Sequence, residues 1–222
     1  MSLKKQVIVY VADIRPLYEE ALLKKAYKLA DEARRQKADM YIGKERRAAC
    51  LAAGLLADEA KRRYGYGDCP VRFTQQGQPY LEIPEGRKKV WISISHSGDY
   101  AACAVGYCPV GVDIQKETTV RERIGERCYA PGERQDFGEG LDKKDFLRRW
   151  TVKESYMKLT GAGMALGFSN LFADMDARTV YETEYLERKA CFRECRAPEG
   201  YFLSVCFVPE DTDGQDDKDS RQ

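Results

Sequence analysis

The apolar positions of this chain recur with two periods. Residues 6–11, 90–97, 100–105 and 110–115 are apolar at alternate places or in short runs, which predicts strands. Residues 71–74, 168–175, 189–195 and 201–208 read the same way. From Pro16 to about Ala38, and again over 44–64 and 145–160, apolar residues return every three or four places, which predicts helices. Pro16 suits a first helical position, with Leu22, Ala26 and Leu29 on one face. The second helix turns Leu51, Leu55 and Leu56 inward and stops at Gly65. Turns are expected at Gly65–Pro70, at Gly77-Gln-Pro79, at Pro84-Glu-Gly86, and at Gly98-Asp99 within a hairpin. Pro131-Gly132 divides the charged stretch 118–145, with Arg121, Arg123 and Arg127, into helix, turn and helix. Cys108-Pro109 separates an N-terminal half, 1–109, from a C-terminal half, 110–209. The acidic stretch 210–222 lacks apolar anchors and is expected to be disordered.

Three stretches carry candidate chemistry. In Trp150-Thr-Val-Lys-Glu-Ser-Tyr-Met-Lys158, residues Trp150, Lys153, Glu154, Met157 and Lys158 share one helical stripe. Val152, Tyr156 and Leu159 form a second stripe suited to packing. The first stripe sets a carboxylate between two lysines; a solvated Glu154–Lys158 pair is the plainer alternative. In Val110-Gly-Val-Asp-Ile-Gln115, period-two alternation projects Asp113 and Gln115 from one face of a half-buried strand. With a glutamate on a nearby helix, those oxygens suit a hard cation such as Mg²⁺. In Val90-Trp-Ile-Ser-Ile-Ser-His-Ser97, His96 is the single histidine. Ser95 and His96 are adjacent on a strand and point to opposite faces, so a serine hydrolase pair does not fit. A histidine that donates to a phosphate, or one that is structural, remains.

Taken in order, Ser93-Ile-Ser-His-Ser97, Gly111-Val-Asp-Ile-Gln115 and Trp150–Lys158, preceded by Gly77-Gln-Pro-Tyr80, resemble the motifs of Sfp-type 4'-phosphopantetheinyl transferases. The resemblance extends over roughly residues 1–208. It implies an α+β fold, a pseudo-twofold pair of similar halves with the active site between them. It implies Mg²⁺-dependent transfer of the phosphopantetheine arm of coenzyme A to a serine of an acyl or peptidyl carrier protein, releasing 3',5'-ADP. Asp113, Gln115 and Glu154 become the metal ligands, and Asp113, Glu154 and Lys158 the catalytic set. Arg34, Lys37, Arg46, Arg47, Gln78, Pro79, Ser95, His96, Lys153 and Lys158 become contacts to coenzyme A. Gln78 and Gln115 stand where the family often has lysine and glutamate. They favour the alternative, a non-catalytic or weakly active carrier-protein or coenzyme A binding module.

Composition narrows the classes. The 222 residues are 43% hydrophobic and 33% charged with a net charge of +1, which suits a globular protein and gives no signal for nucleic acid. No apolar run approaches the ~18 residues of a membrane span. The eight cysteines include no C-x-x-C pair, so reduced thiols in a cytoplasmic protein are expected; the expected assembly is a monomer. Neither a P-loop nor a Rossmann glycine pattern is present, which argues against an unrelated nucleotide enzyme.

Overall fold

Two five-stranded antiparallel sheets carry the chain, and both are wound in the same order. A computed structural model describes residues 7–83, 89–119, 127–133 and 142–209. The first half runs β1 (Ile8–Asp13), α1 (Glu20–Leu29), α2 (Glu32–Asp39), α3 (Lys44–Arg63), β2 (Val71–Phe73), β3 (Pro79–Leu81), β4 (Val90–Ser97) and β5 (Tyr100–Gly106). The second runs β6 (Val110–Lys116), α4 (Lys143–Thr160), β7 (Leu171–Asp174), β8 (Thr179–Glu182), β9 (Tyr185–Glu194) and β10 (Tyr201–Phe207). Spatial order is β1-β5-β4-β3-β2 in one sheet and β6-β10-β9-β8-β7 in the other. Each half therefore places its first strand at an edge, follows it with a long helix, and returns its last strand beside the first. That is the pseudo-twofold α+β architecture expected from the motifs.

Local chemistry departs from the pattern in a few places. One helix was expected from Pro16 to Ala38. Instead Pro16 lies in a 3-10 turn, and the chain is extended at Ala30 and Asp31 before α2 begins. Asp31 caps α2 by accepting from the Arg34 N–H at 2.7 Å. Within α1 the buried face is Leu23 and Ala26, whereas Leu22 and Leu29 are 37% and 65% exposed. In α3, Leu51 is buried, while Leu55 and Leu56 are only half-buried. The short strands β3 and β8 carry too few residues to show a period, and neither was foreseen. Phe168–Asn170 is a 3-10 turn ahead of β7. Arg121, Arg123, Pro84-Glu-Gly86 and the 210–222 tail lie outside the described residues, as does most of 118–145.

Strand β6 is the seam between the halves. It was expected to be half-buried, yet every residue from Val110 to Ile114 is buried. The face that carries Gly111 meets α4, and the edge of β6 not paired with β10 meets β4. Gly111 makes the first contact possible: a Cβ there would run into the Ser155 carbonyl oxygen of α4. The second contact is a ladder of serine hydroxyls. Ser93 Oγ accepts from the Val112 N–H at 3.0 Å, Ser95 Oγ donates to Asp113 Oδ1 at 2.7 Å, and Ser97 Oγ accepts from the Lys116 N–H at 3.0 Å. Alternate β4 residues thus fix the register of β6, each bond contributing about 1 kcal/mol. A shared core of Val7, Ala102, Ala104, Val110, Val112, Ile114, Leu203 and Val205 closes the seam. All eight cysteines are free. Among the described residues, no helix is long and apolar enough to cross a membrane.

Candidate active site

Helix α4 presents two charged side chains from an otherwise buried centre. From Thr151 to Leu159 only Glu154 and Lys158 retain exposure. Met157 is buried in the core, and Trp150 stacks on Phe168 with ring centroids 4.0 Å apart. The expected open stripe therefore contracts to Glu154 and Lys158.

Lys153 belongs to a different structure. Its side chain is 1% exposed, and its ammonium lies 2.5 Å from Oε2 of the fully buried Glu133 side chain. It also donates to the carbonyls of Cys128 at 2.8 Å and Phe168 at 3.1 Å. Glu133 in turn accepts from the backbone N–H groups of Ala130 and Ala173. Burial holds the Lys153 amine below its usual value, with Glu133 opposing that shift. All of this binds loop, helix and β7 together, and it corrects the expectation that Lys153 reaches a phosphate. No local spacing pointed to Glu133, which lies in another part of the chain.

Opposite Glu154 and Lys158 stands Asp113. Its Oδ1 accepts from Ser95 Oγ at 2.7 Å and from Lys158 Nζ at 2.6 Å. Its Oδ2 is buried and has no hydrogen-bond partner. Lys158 also reaches Ser95 Oγ at 2.8 Å and approaches Glu154 Oε2 at 4.0 Å. Burial pushes the Glu154 carboxyl above the usual carboxylate range; the charge of Asp113 adds to this and Lys158 opposes it. Gln115 shares the Asp113 face of β6, as its spacing predicted, and lines the same cleft.

Two adjoining clefts meet at this point. The smaller, about 300 Å³, is lined by Arg34, Lys37, Tyr41, Ser95, His96, Asp113, Gln115, Glu154 and Lys158. The larger, about 450 Å³, shares Arg34, Lys37, Glu154 and Lys158 and adds Val71, Phe73, Pro79, Ile92, Ile94 and Met157. Arg34 reaches the cleft because α3 has a glycine beneath it: a Cβ at Gly54 would lie 2.6 Å from Arg34 Nε. His96 sits at the rim. Its surroundings lower its pKa first by desolvation, then through the charges of Lys158, Lys37 and Arg34. These neighbours disfavour its cationic form in the free protein.

Arg46 and Arg47 line neither cleft. Arg46 is exposed, and Arg47 is half-buried with its Nε unpaired. Gln78 turns away from the clefts: its Nε2 donates to the Leu159 carbonyl and its Oε1 accepts from Thr74 Oγ1 at 3.1 Å. Ser93, Ser97 and Gly111, which hold Asp113 in place, went unnoticed as positioning residues in the sequence. Hydroxyls at every second strand position, and a glycine two places before the aspartate, were their available signals.

The donor set fits a hard divalent cation. Mg²⁺ takes oxygen ligands, commonly one or two carboxylates completed by water and phosphate. Asp113 Oδ2 is an unmet buried oxygen, Glu154 faces it, and Gln115 adds an amide oxygen. No cluster of three or more acidic, histidine or cysteine side chains forms among the described residues.

Residues 109–206 match the 4'-phosphopantetheinyl transferase superfamily. The chain is 31% identical over 170 residues to a 4'-phosphopantetheinyl transferase of Bacillus subtilis, covering 72% of this chain and 74% of that one. To the 4'-phosphopantetheinyl transferase Sfp of Bacillus subtilis (strain 168) it is 24% identical over 205 residues, covering 89% and 90%. To the 4'-phosphopantetheinyl transferase gsp of Aneurinibacillus migulanus it is 27% identical over 141 residues, covering 62% of this chain and 57% of that one. With both sheets, the seam and these relatives in view, the chain belongs to the Sfp-type 4'-phosphopantetheinyl transferases.

Proposed function

We propose that this protein transfers the 4'-phosphopantetheine arm of coenzyme A to a serine hydroxyl of a carrier protein and releases 3',5'-ADP. The observation that carries the proposal is the meeting of Asp113, Glu154 and Lys158 where the two sheets join, with Asp113 Oδ2 unmet. Asp113 and Glu154 would hold Mg²⁺, with Gln115 beside them, and the ion would supply charge neutralisation for the pyrophosphate. Lys158 offsets charge on the phosphate oxygens. Arg34, Lys37 and His96 suit the 3'-phosphate, because an isolated phosphate needs side-chain donors. The serine oxygen bonds to the phosphorus that carries the pantetheine arm, and that phosphorus loses its bridging oxygen to 3',5'-ADP. Glu154 accepts the serine proton, directly or through a water.

The protein acts as a monomer in this reading. Support comes from the cleft itself, whose two walls are the two halves of one chain. Gln78 favours the binding-module alternative, since its amide is committed to Leu159 and leaves one phosphate contact fewer. Incubation with coenzyme A, Mg²⁺ and a panel of apo carriers, followed by intact mass, separates the two. Transfer adds one phosphopantetheine arm to at least one carrier. Coenzyme A binding with no mass gain on any carrier overturns the enzyme reading.

A further inference from the structure

Gln78 sits in the turn between β2 and β3, where the first half meets the catalytic helix of the second. The turn is rigid by its own bonds. Thr74 N–H donates to the Gln78 carbonyl at 2.9 Å, Gly77 N–H to the Thr74 carbonyl at 3.0 Å, and Gln78 N–H to Thr74 Oγ1 at 3.1 Å. Both ends of the Gln78 amide are also committed. Its oxygen takes the Thr74 hydroxyl, and its nitrogen donates to the Leu159 carbonyl. That carbonyl lies in the last turn of α4, where helical geometry leaves it without an intrahelical partner. The approach is close: Gly161, left-handed at φ 73°, ends the helix, and a Cβ there would strike the Gln76 carbonyl oxygen.

The residue next to Leu159 is Lys158, which bonds Asp113 and Ser95 across the seam. Glu154 lies one turn earlier on the same helix. The 71–79 hairpin and the last two turns of α4 both line the larger cleft. A single amide thus joins the walls at the end of the helix that carries the reacting groups.

We propose that Gln78 is a positioning residue, a latch that holds the end of α4 against the hairpin of the other half and so fixes Lys158 and Glu154 across the cleft. The inference rests on the transferase reading for its effect on turnover. The latch itself does not depend on that reading.

The test uses three variants of the full chain. Gln78→Met keeps the length and removes the donor. Gln78→Glu keeps the shape but sets an acceptor and a negative charge against the negative end of a helix. Gln78→Lys restores a donor with the favourable charge. In the ligand-free protein, amide exchange over the last turn of α4 should quicken roughly three- to tenfold in the Met and Glu variants, the loss of one hydrogen bond. The Lys variant should stay near the parent. In the transfer assay the Met and Glu variants should lose kcat while KM for coenzyme A stays within about twofold, and Lys should recover kcat. Unchanged exchange in the Met and Glu variants overturns the latch. So does a rise of KM alone with kcat intact, which is the mark of a direct contact to coenzyme A. If the parent transfers nothing, the transferase reading fails, and the exchange measurement still decides the latch.

Discussion

Removing the Lys153 ammonium should cost stability rather than affinity for coenzyme A. Lys153→Met keeps the aliphatic stem and deletes the charge. It leaves the fully buried Glu133 carboxylate without its closest partner, at 2.5 Å. Breaking a buried pair from one side costs about 3–5 kcal/mol. Glu133 keeps the Ala130 and Ala173 N–H groups, at 2.7 and 2.8 Å, and Arg149 Nη1 at 3.6 Å, so the lower end applies. In a protein of this size each kcal/mol moves Tm by about 2–4 °C, which gives a fall of about 6–12 °C. Calorimetry on Lys153→Met, Glu133→Gln and the double variant measures it. The double variant should melt above the sum of the single losses, because neither charge is then stranded. Coenzyme A KM of the folded fraction should change little. A Lys153→Met protein with unaltered Tm and a tenfold higher KM would refute this reasoning and return Lys153 to the phosphates.

Three further outcomes follow from the cleft. Glu154→Gln should fold normally, since its one ion pair among the described residues is the long one to Lys158 at 4.0 Å, and should lose on the order of a hundredfold or more in turnover; a folded variant with near-parental turnover sinks its assignment as ligand and base. His96 has a lowered pKa in the free protein, and a bound phosphate raises it, so coenzyme A affinity should fall as pH rises from the free to the bound value. Calorimetry in buffers of different ionisation enthalpy should show proton uptake that His96→Ala diminishes; equal uptake in both proteins removes His96 from the phosphate. Gln115→Glu adds a negative charge on the Asp113 face, so less Mg²⁺ should give half-maximal stabilisation of Tm and half-maximal rate, without a higher maximal rate. Superimposable titrations of the two proteins place residue 115 away from the ion.

Period-two alternation was enough to put Asp113 and Gln115 on one face, because that geometry is local to a strand. The helical repeat likewise paired Glu154 with Lys158. It failed for Lys153, which shares their stripe, because a helix buried almost all round has no single wet face. Which lysine is open then depends on partners from elsewhere: Glu133 draws one inward, and Asp113 holds the other at the cleft. Arg34 and Lys37 reached the site while Arg46 and Arg47 did not, and composition could not separate them. Separation came from the extended break at Ala30–Asp31 and from Gly54, which opens a path across α3.

The seam explains why a buried carboxylate is tolerable here. A carboxylate in this setting is costly unless its oxygens are met. Ser95 and Lys158 satisfy one oxygen of Asp113. The other is buried and has no hydrogen-bond partner, although Asp113 lines the cleft. The bonds that set the register of β6 therefore leave one unmet lone-pair direction on Asp113. Glu154 cannot supply a proton donor there while ionised; burial first raises its pKa, and the charge of Asp113 adds to that. The divalent cation proposed for this site would relieve both conditions at once, meeting the orphaned oxygen and separating two like charges.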